Sequence, residues 1–280
     1  GEYAFVAAGG AGLQIVDTSD KTNPVVIAGL DTAGVAIDVK VRGNYAYIAD
    51  GGNGLVVADI SDPAQPIQYF VAPSSDVAQD VAIQGDFAFV ADGAAGIEIF
   101  NISDSINIFS VARSDELSGV KGVDVEGKWM VAVGGSALAL FDIADPENPI
   151  RVHTTNIGTV KDVALDNGYV HVAAYNSGWR SYRIDDQTSR LEQVGGGREI
   201  VPRDVAVTDG FVFYAEQLFP NVTAFMNIRD PDAPFFQDTI NLSPLGDYAG
   251  TGIAVDNTHA YITEESYVVG RDYGSDGNTK

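Results

Sequence analysis

Apolar and polar residues alternate with a period of two in short runs along the whole chain, and the runs recur in the same order about every 42 residues. An aromatic-rich run opens each unit, at Tyr3, Tyr45, Phe87, Trp129, Tyr169, Phe211 and His259. The runs read YAFVAA, YAYIAD, FAFVAD, WMVAVG, YVHVAA, FVFYAE and HAYITE. A Gly-rich turn and a second apolar run follow, such as LQIVD, LVVAD, IEIFN and LALFD. Alternation of this kind predicts half-buried strands, because side chains on a strand point to opposite faces in turn. A fixed period of about 40–45 residues holding four short strands predicts a β-propeller blade.

One unit shows how the prediction is built. VAIDVKV (35–41) is the inner strand and YAYIAD (45–50) the second, with Gly51-Gly52-Asn53-Gly54 supplying the positive-φ positions of a tight turn. LVVADI (55–60) is the third strand and IQYFVA (67–72) the outer one. Between them, Asp62 and two prolines set a turn. The other inner strands fall at 77–83, 119–125, 160–165, 201–207 and 250–255. Six inner strands but seven second strands predict an all-β propeller of seven blades, mostly of four antiparallel strands, with an incomplete blade joining the termini. The alternative is six blades with an appended C-terminal hairpin.

The segments LQIVDTSDKTNP (13–24), LVVADISDPAQP (55–66) and LALFDIADPENP (138–149) resemble the LVIVD-repeat proteins. The resemblance covers the first four units, fades at WRSYRIDDQTSR (179–190) and returns in part at RDPDAP (229–234). It implies a β-propeller of the kind found in bacterial and archaeal surface or exported proteins, and it implies no particular reaction.

Composition narrows the setting. The formal charge is −23, which repels nucleic acid and anionic membrane and suits a salty or extracellular medium. The absence of cysteine rules out disulfides and thiolate metal sites. No apolar run approaches the length of a membrane-spanning helix. The 280 residues read as a single propeller domain. They begin inside a strand, as a domain cut from a longer precursor would. Sequons at Asn101, Asn221 and Asn241 add a hint of a glycosylated surface protein.

Candidate chemistry is sparse. Inner strands carry Asp38, Asp80, Asp162 and Asp204, which either ring a cation in the channel or accept backbone N–H groups from the next blade. Lys161 and Arg203, at equivalent places on neighbouring inner strands, either grip an anionic ligand or pair with those acids. Asp59 with Asp62, and Asp142 with Asp145, put two carboxylates in one turn; they are candidate calcium ligands, but Asx-type capping explains them without metal. His171 and His259 sit at aromatic core positions, and no nucleophile–base set can be placed.

Departures from the repeat concentrate in units five and six. Trp179 takes an aliphatic position, QLFPN (217–221) replaces a glycine turn, Gly195-Gly196-Gly197 reads as a flexible connection, and 241–250 is lengthened. Arg198, Arg203, Lys161, Leu218, Phe219 and Tyr248 are therefore the candidate binding residues, on one sector of one face. The expected function is a non-enzymatic scaffold or adhesion module, exported or on the cell surface, with a protein or glycan partner and no cofactor beyond possible calcium. The alternatives are a hydrolase or lyase using Arg203, Glu216 and Asp204 at the channel mouth, and a calcium-stabilised structural module.

Overall fold

The computed structural model describes residues 2–20, 23–105, 107–208, 210–216, 222–241, 252–255, 259–264 and 267–272. Four-stranded antiparallel sheets recur through it, each made of consecutive strands joined by short turns. The first sheet has three strands, β1 (Tyr3–Ala7), β2 (Leu13–Asp17) and β3 (Val25–Leu30). The second runs β4 (Asp38–Arg42), β5 (Tyr45–Ala49), β6 (Leu55–Asp59) and β7 (Ile67–Ala72). The third runs β8 (Asp80–Gln84), β9 (Phe87–Ala91), β10 (Ile97–Asn101) and β11 (Phe109–Ser114). The fourth runs β12 (Val120–Glu126), β13 (Trp129–Gly134), β14 (Ala137–Asp142) and β15 (Ile150–Asn156). The fifth runs β16 (Asp162–Asp166), β17 (Tyr169–Ala173), β18 (Trp179–Asp185) and β19 (Arg190–Gly197), with a 3-10 turn at Tyr175–Ser177. The sixth runs β20 (Pro202–Thr208), β21 (Phe211–Glu216), β22 (Val222–Asn227) and β23 (Phe235–Asn241). A last three-stranded sheet holds β24 (Gly252–Val255), β25 (His259–Glu264) and β26 (Tyr267–Asp272).

The fold class is thus the expected all-β propeller, but the seven-bladed count is corrected to six. The described strands number twenty-six, short of the twenty-eight that seven complete blades take. Five sheets are complete, and the sheets at the two ends each have three strands. The six-bladed alternative matches, and β25 and β26 are its C-terminal hairpin, hydrogen-bonded to β24.

The chain divides into two compact units, residues 1–135 with 141–151, and residues 136–140 with 152–280. In each, the core lies between successive sheets, which is why both faces of a blade are apolar. In the first unit, Tyr47, Leu55 and Val57 of the second sheet pack on Ala78, Val81, Ala88 and Val90 of the third. In the second unit, Ala164, Ala173 and Trp179 pack on Val205, Val212, Tyr214 and Ala224. Alanine is frequent at these contacts because the small side chain lets neighbouring sheets approach closely.

Gly195-Gly196-Gly197 corrects a second expectation: the three glycines are the end of β19, opposite Ser181, Arg180 and Trp179. Side chains crowd all three places: a Cβ at Gly195 would meet Pro234 Cγ and then the Trp179 ring at 3.1 Å, one at Gly196 would lie 2.9 Å from Arg180 Cδ, and one at Gly197 would meet the Glu199 carboxylate and then Trp179 Nε1 at 2.6 Å.

Candidate functional site

Two devices tie successive sheets within each unit and a third holds the chain as it enters a sheet; the candidate site lies where one of them is missing. The first is a carboxylate ladder. Asp38 accepts the N–H of Val81 at 3.3 Å, Asp80 that of Val123 at 2.7 Å, Asp162 that of Val205 at 3.1 Å, and Asp204 that of Ile253 at 2.7 Å. Each acid reaches the inner strand of the following sheet, so the structural reading of the acids is the one the geometry shows. Asp204 also accepts from Val205 through its other oxygen, so both oxygens serve the main chain.

Within this ladder Asp38 and Asp80 act on each other. Burial pushes the Asp80 carboxyl well above the usual carboxylate range, and the charge of Asp38 adds to the effect. Burial opposes ionisation of Asp38 as well, but Lys40, 3.4 Å away, and a hydrogen bond with Asp80 hold it below its ordinary value.

A second device uses the acid that ends the second strand. Asp50 is fully buried and accepts from Thr32 Oγ1 at 2.6 Å, from Gly34 N at 2.9 Å and from Asn53 Nδ2 at 2.9 Å. Asp92, equally buried, accepts the N–H groups of Ser75 and Asp76. These carboxylates hold the connection that enters the inner strand of their own sheet. Alternation alone puts Asp50 and Asp92 at the ends of strands and gives them no role. The signal was the recurrence of Ala-Asp-Gly at one place in two units.

The third device is a main-chain bridge. Gly9 pairs with Ala36, Gly51 with Ala78 and Gly93 with Val120. Gly51 donates to Ala78 O at 3.2 Å and accepts from Ala78 N at 2.9 Å, with a φ of 56° that favours glycine. At the equivalent place in the fifth sheet stands Tyr175, a non-glycine residue held at φ 40°. The inner-strand position that would answer it is Pro202, which has no N–H to donate. The sequence itself removes this bridge.

Around that turn gather three of the expected binding residues. Lys161 Nζ lies over the Tyr175 ring, 5.1 Å from its centre. Gly178 rests against the backbone of Gly197 and Arg198, which brings exposed Arg198 to the turn. The turn also packs on β20, which carries Arg203. The Nε of Arg203 is buried with no hydrogen-bond acceptor among the described residues. Leu218, Phe219 and Tyr248 lie outside the described residues, as does the 217–221 turn.

The turn acids are placed apart from this site. Asp59 caps Ser61 N, Asp62 caps Ala64 N, Asp142 caps Ala144 N and Asp145 caps Glu147 N, at 2.9 to 3.1 Å. Each pair sits in a separate turn, and no group of three or more His, Asp or Glu side chains gathers to hold a metal among the described residues. His171 is fully buried at its expected core position, with Nδ1 2.8 Å from Ser181 Oγ and no partner at Nε2. An open cleft of about 340 Å³ lies elsewhere, lined by Ala112–Glu116 and Glu147–Ile150. Its arginine is already committed, Arg113 to Glu98.

Antiparallel sheets stacked face to face and laced inner strand to inner strand define the β-propeller class. Residues 1–32, 33–71 and 77–109 match the LVIVD repeat, so the chain carries LVIVD repeats over its first three units. The fold is similar to a chain of the Mitotic Checkpoint Complex, at TM-score 0.74 and 11% identity, over 95% of this chain and 82% of that one. The Cps50 (Swd1) β-propeller domain of Myceliophteria thermophila aligns at TM-score 0.72 and 12% identity, over 93% and 90%. A hypothetical selenium-binding protein from Sulfolobus tokodaii aligns at TM-score 0.71 and 11% identity, over 98% and 88%. At such identities the likeness is one of fold alone. Compared with curated protein sequences, the chain matches none.

Proposed function

We propose that this protein is a non-enzymatic propeller that acts outside the cell or on its surface, as an interaction, adhesion or structural scaffold for a protein or glycan partner. The observation that carries the reading is the contrast between the regular and the irregular repeats. In the first three sheets, turns are short and their glycines are used up in bridges to the next sheet. Such turns offer few side chains for recognition. Between the fifth and sixth sheets the glycine of that bridge is Tyr175, and Arg198 and Arg203 stand near it. Loops on a rigid frame carry recognition, and aromatic and arginine side chains dominate binding energies. The charge of −23 suits an exposed, salt-tolerant surface.

Two measurements test this. Surface plasmon resonance against purified envelope glycans and envelope proteins should show saturable binding. Phe219→Ala with Tyr248→Ala should weaken it by about 2 kcal/mol, roughly 30-fold. Turnover of the same glycans, seen as new reducing ends at a steady catalytic rate, would overturn the non-enzymatic reading. Unfolding of the double variant would show those residues to be core plugs and move the recognition surface elsewhere.

A further inference from the structure

The first sheet lacks the strand that the complete sheets place innermost, and the second sheet has an uncovered apolar face beside that place. In the second and third sheets an inner strand lies along the aromatic strand, β4 on β5 and β8 on β9. In the first sheet the aromatic strand β1 is itself the edge, since the order among the described strands is β1, β2, β3. Packing records the difference. Phe5 of β1 is half-buried, whereas Tyr47 and Phe89 at the same place are 2% and 0% exposed. On β4, Val39 shares an apolar cluster with Phe5 and Ala7 yet stays half-buried, whereas Val81 and Val123 at equivalent places are 0% and 2% exposed. Val41, two residues along the same face of β4, is 44% exposed.

The repeat shows what belongs there. Ile37 and Gln79, which precede Asp38 and Asp80, donate their N–H groups to the carbonyls of Ala49 and Ala91 in the neighbouring aromatic strand, each at 2.8 Å. The matching carbonyl of β1 is that of Ala7. The Val81 N–H is then shared between its own Asp80, at 2.8 Å, and Asp38 of the preceding sheet, at 3.3 Å. The Val39 N–H is held by its own Asp38 in the same way, and an acid from a preceding sheet is the member missing among the described residues. Two places after the acid stands a small residue in the third sheet, Ala82, which is 1% exposed. An edge strand offers a row of main-chain donors and acceptors for one more strand, and apolar surface beside it adds burial.

We propose that the edge of β1 and the adjoining face of β4 form a docking groove for one extended strand of a partner protein. The strand runs antiparallel to β1, as β4 runs to β5, and carries the pattern apolar–x–Asp–Val–Ala–apolar. The residue before its acid donates to Ala7 O, the acid accepts the Val39 N–H, and the small residue lies against Val41. Continuity argues for that occupant, because the groove extends the seam that already joins the second sheet to the third. The chain's own segments at this place in the repeat are already strands, namely β4, β8, β12, β16, β20 and β24. A second copy, also at −23, is repelled, whereas a short strand with a single acid is not. The inference goes beyond the envelope-partner reading and does not rest on it, since the groove lies in the first two sheets.

A labelled peptide with the sequence of residues 76–84, DVAQDVAIQ, tests the groove on the full chain by fluorescence anisotropy. It should bind saturably at one site. The peptide carrying Asp80→Ala should bind about tenfold more weakly, and a scrambled peptide should not bind. In the protein, Val41→Asn should weaken binding several-fold, whereas Ile67→Asn, on an exposed outer strand, should leave it unchanged. Hydrogen exchange gives a reading that needs no variant. The outward amides of β1 should exchange faster than those of β5 in the free protein and slow when the peptide is added. The proposal fails if the peptide binds more weakly than about 1 mM, or if the scrambled or Asp80→Ala peptide binds as tightly. It also fails if the amides of β1 are as protected as those of β5 without peptide, for then the chain itself already covers the edge. A dimer in light scattering that the peptide dissociates would make the occupant a second copy and overturn the choice of partner. Loss of envelope binding with peptide binding retained would sink the scaffold reading alone.

Discussion

Asp80 accepts the backbone N–H of Val123, 43 residues further on, at 2.7 Å, and so fixes one inner strand against the next. Asp38 makes the same bond to Val81, Asp162 to Val205 and Asp204 to Ile253. The bond solves a problem particular to stacked blades. An inner strand is an edge of its sheet, so half of its N–H groups lack ladder partners, and a carboxylate from the preceding sheet satisfies one of them.

The ladder makes a prediction about Asp80. Asp80→Ala leaves the Val123 N–H unpaired inside the protein and should destabilise by about 1–3 kcal/mol. Asp80→Asn keeps an acceptor for Val123 and a donor toward Asp38, and it removes a carboxyl that resists ionisation where it is. Since the folded-state pKa of Asp80 is raised, mainly by burial, its contribution is fully present below the unfolded value near 3.8 and is lost as pH rises through the folded value. At neutral pH Asp80→Asn should therefore be at least as stable as the native protein. Urea denaturation of both variants at pH 7 checks this, and a large loss in Asp80→Asn would contradict it.

The turn acids yield a second prediction. Asp59, Asp62, Asp142 and Asp145 each spend an oxygen on a main-chain N–H two residues ahead. Asp62 and Asp145 also receive side-chain amides, from Gln65 and Asn148. Turns capped in this way hold their shape without a cation. Excess chelator should then move the melting temperature by less than about 2 °C, whereas a bound ion would add RT ln(1 + [L]/Kd) and its removal would show as a clear drop.

Most of the strand plan was legible because it rests on periodicity alone. YAYIAD and LVVADI were expected at 45–50 and 55–60 and are observed as β5, Tyr45–Ala49, and β6, Leu55–Asp59. Inner strands begin later than alternation suggests. Residues 35–37 alternate, yet β4 starts at Asp38, because Ala36 is engaged by the Gly9 bridge instead of a ladder. The blade count was misread because every second strand was taken to mark a blade, including those of the incomplete end sheets. The glycines of β19 looked like a flexible connection because only the packed structure shows the side chains crowded against them. The cluster at Tyr175 was only half visible: Lys161, Arg198 and Arg203 were suspected, but Tyr175 and Pro202 matter through the bridge they abolish, and an absent hydrogen bond leaves no periodic signal.

That absent bridge can be restored. Tyr175→Gly removes a left-handed strain of about 1 kcal/mol, and Pro202→Ala supplies the missing donor. Together they should raise stability by about 1–2 kcal/mol and protect the new amide at position 202 from hydrogen exchange. Either change alone should gain less, since the bridge needs the glycine conformation and the donor at once. An unprotected amide in the double variant would show that the seam is held open by something other than these two residues.

The fifth sheet also breaks the pattern of cross-strand pairs, and the break should make the protein acid-sensitive. Tyr47 faces Val57, Phe89 faces Ile99 and Phe213 faces Phe225, but His171 faces Ser181. The imidazole is fully buried, bonded at Nδ1 and unpartnered at Nε2, and burial lowers its pKa from 6.5 to about 4. With the folded-state value depressed, the unfolded chain takes up the proton first. Stability is then whole above pH 6.5 and declines as pH falls toward 4, by about 3 kcal/mol across the window. His171→Phe with Ser181→Val installs the aromatic–aliphatic pair of the second and third sheets. It should raise stability at pH 7, because a buried unpaired nitrogen is gone, and it should flatten the decline below pH 6.5. Chemical denaturation at pH 7, 6, 5 and 4 for both proteins reads the difference directly. Parallel declines in the two would mean that His171 is not the group responsible.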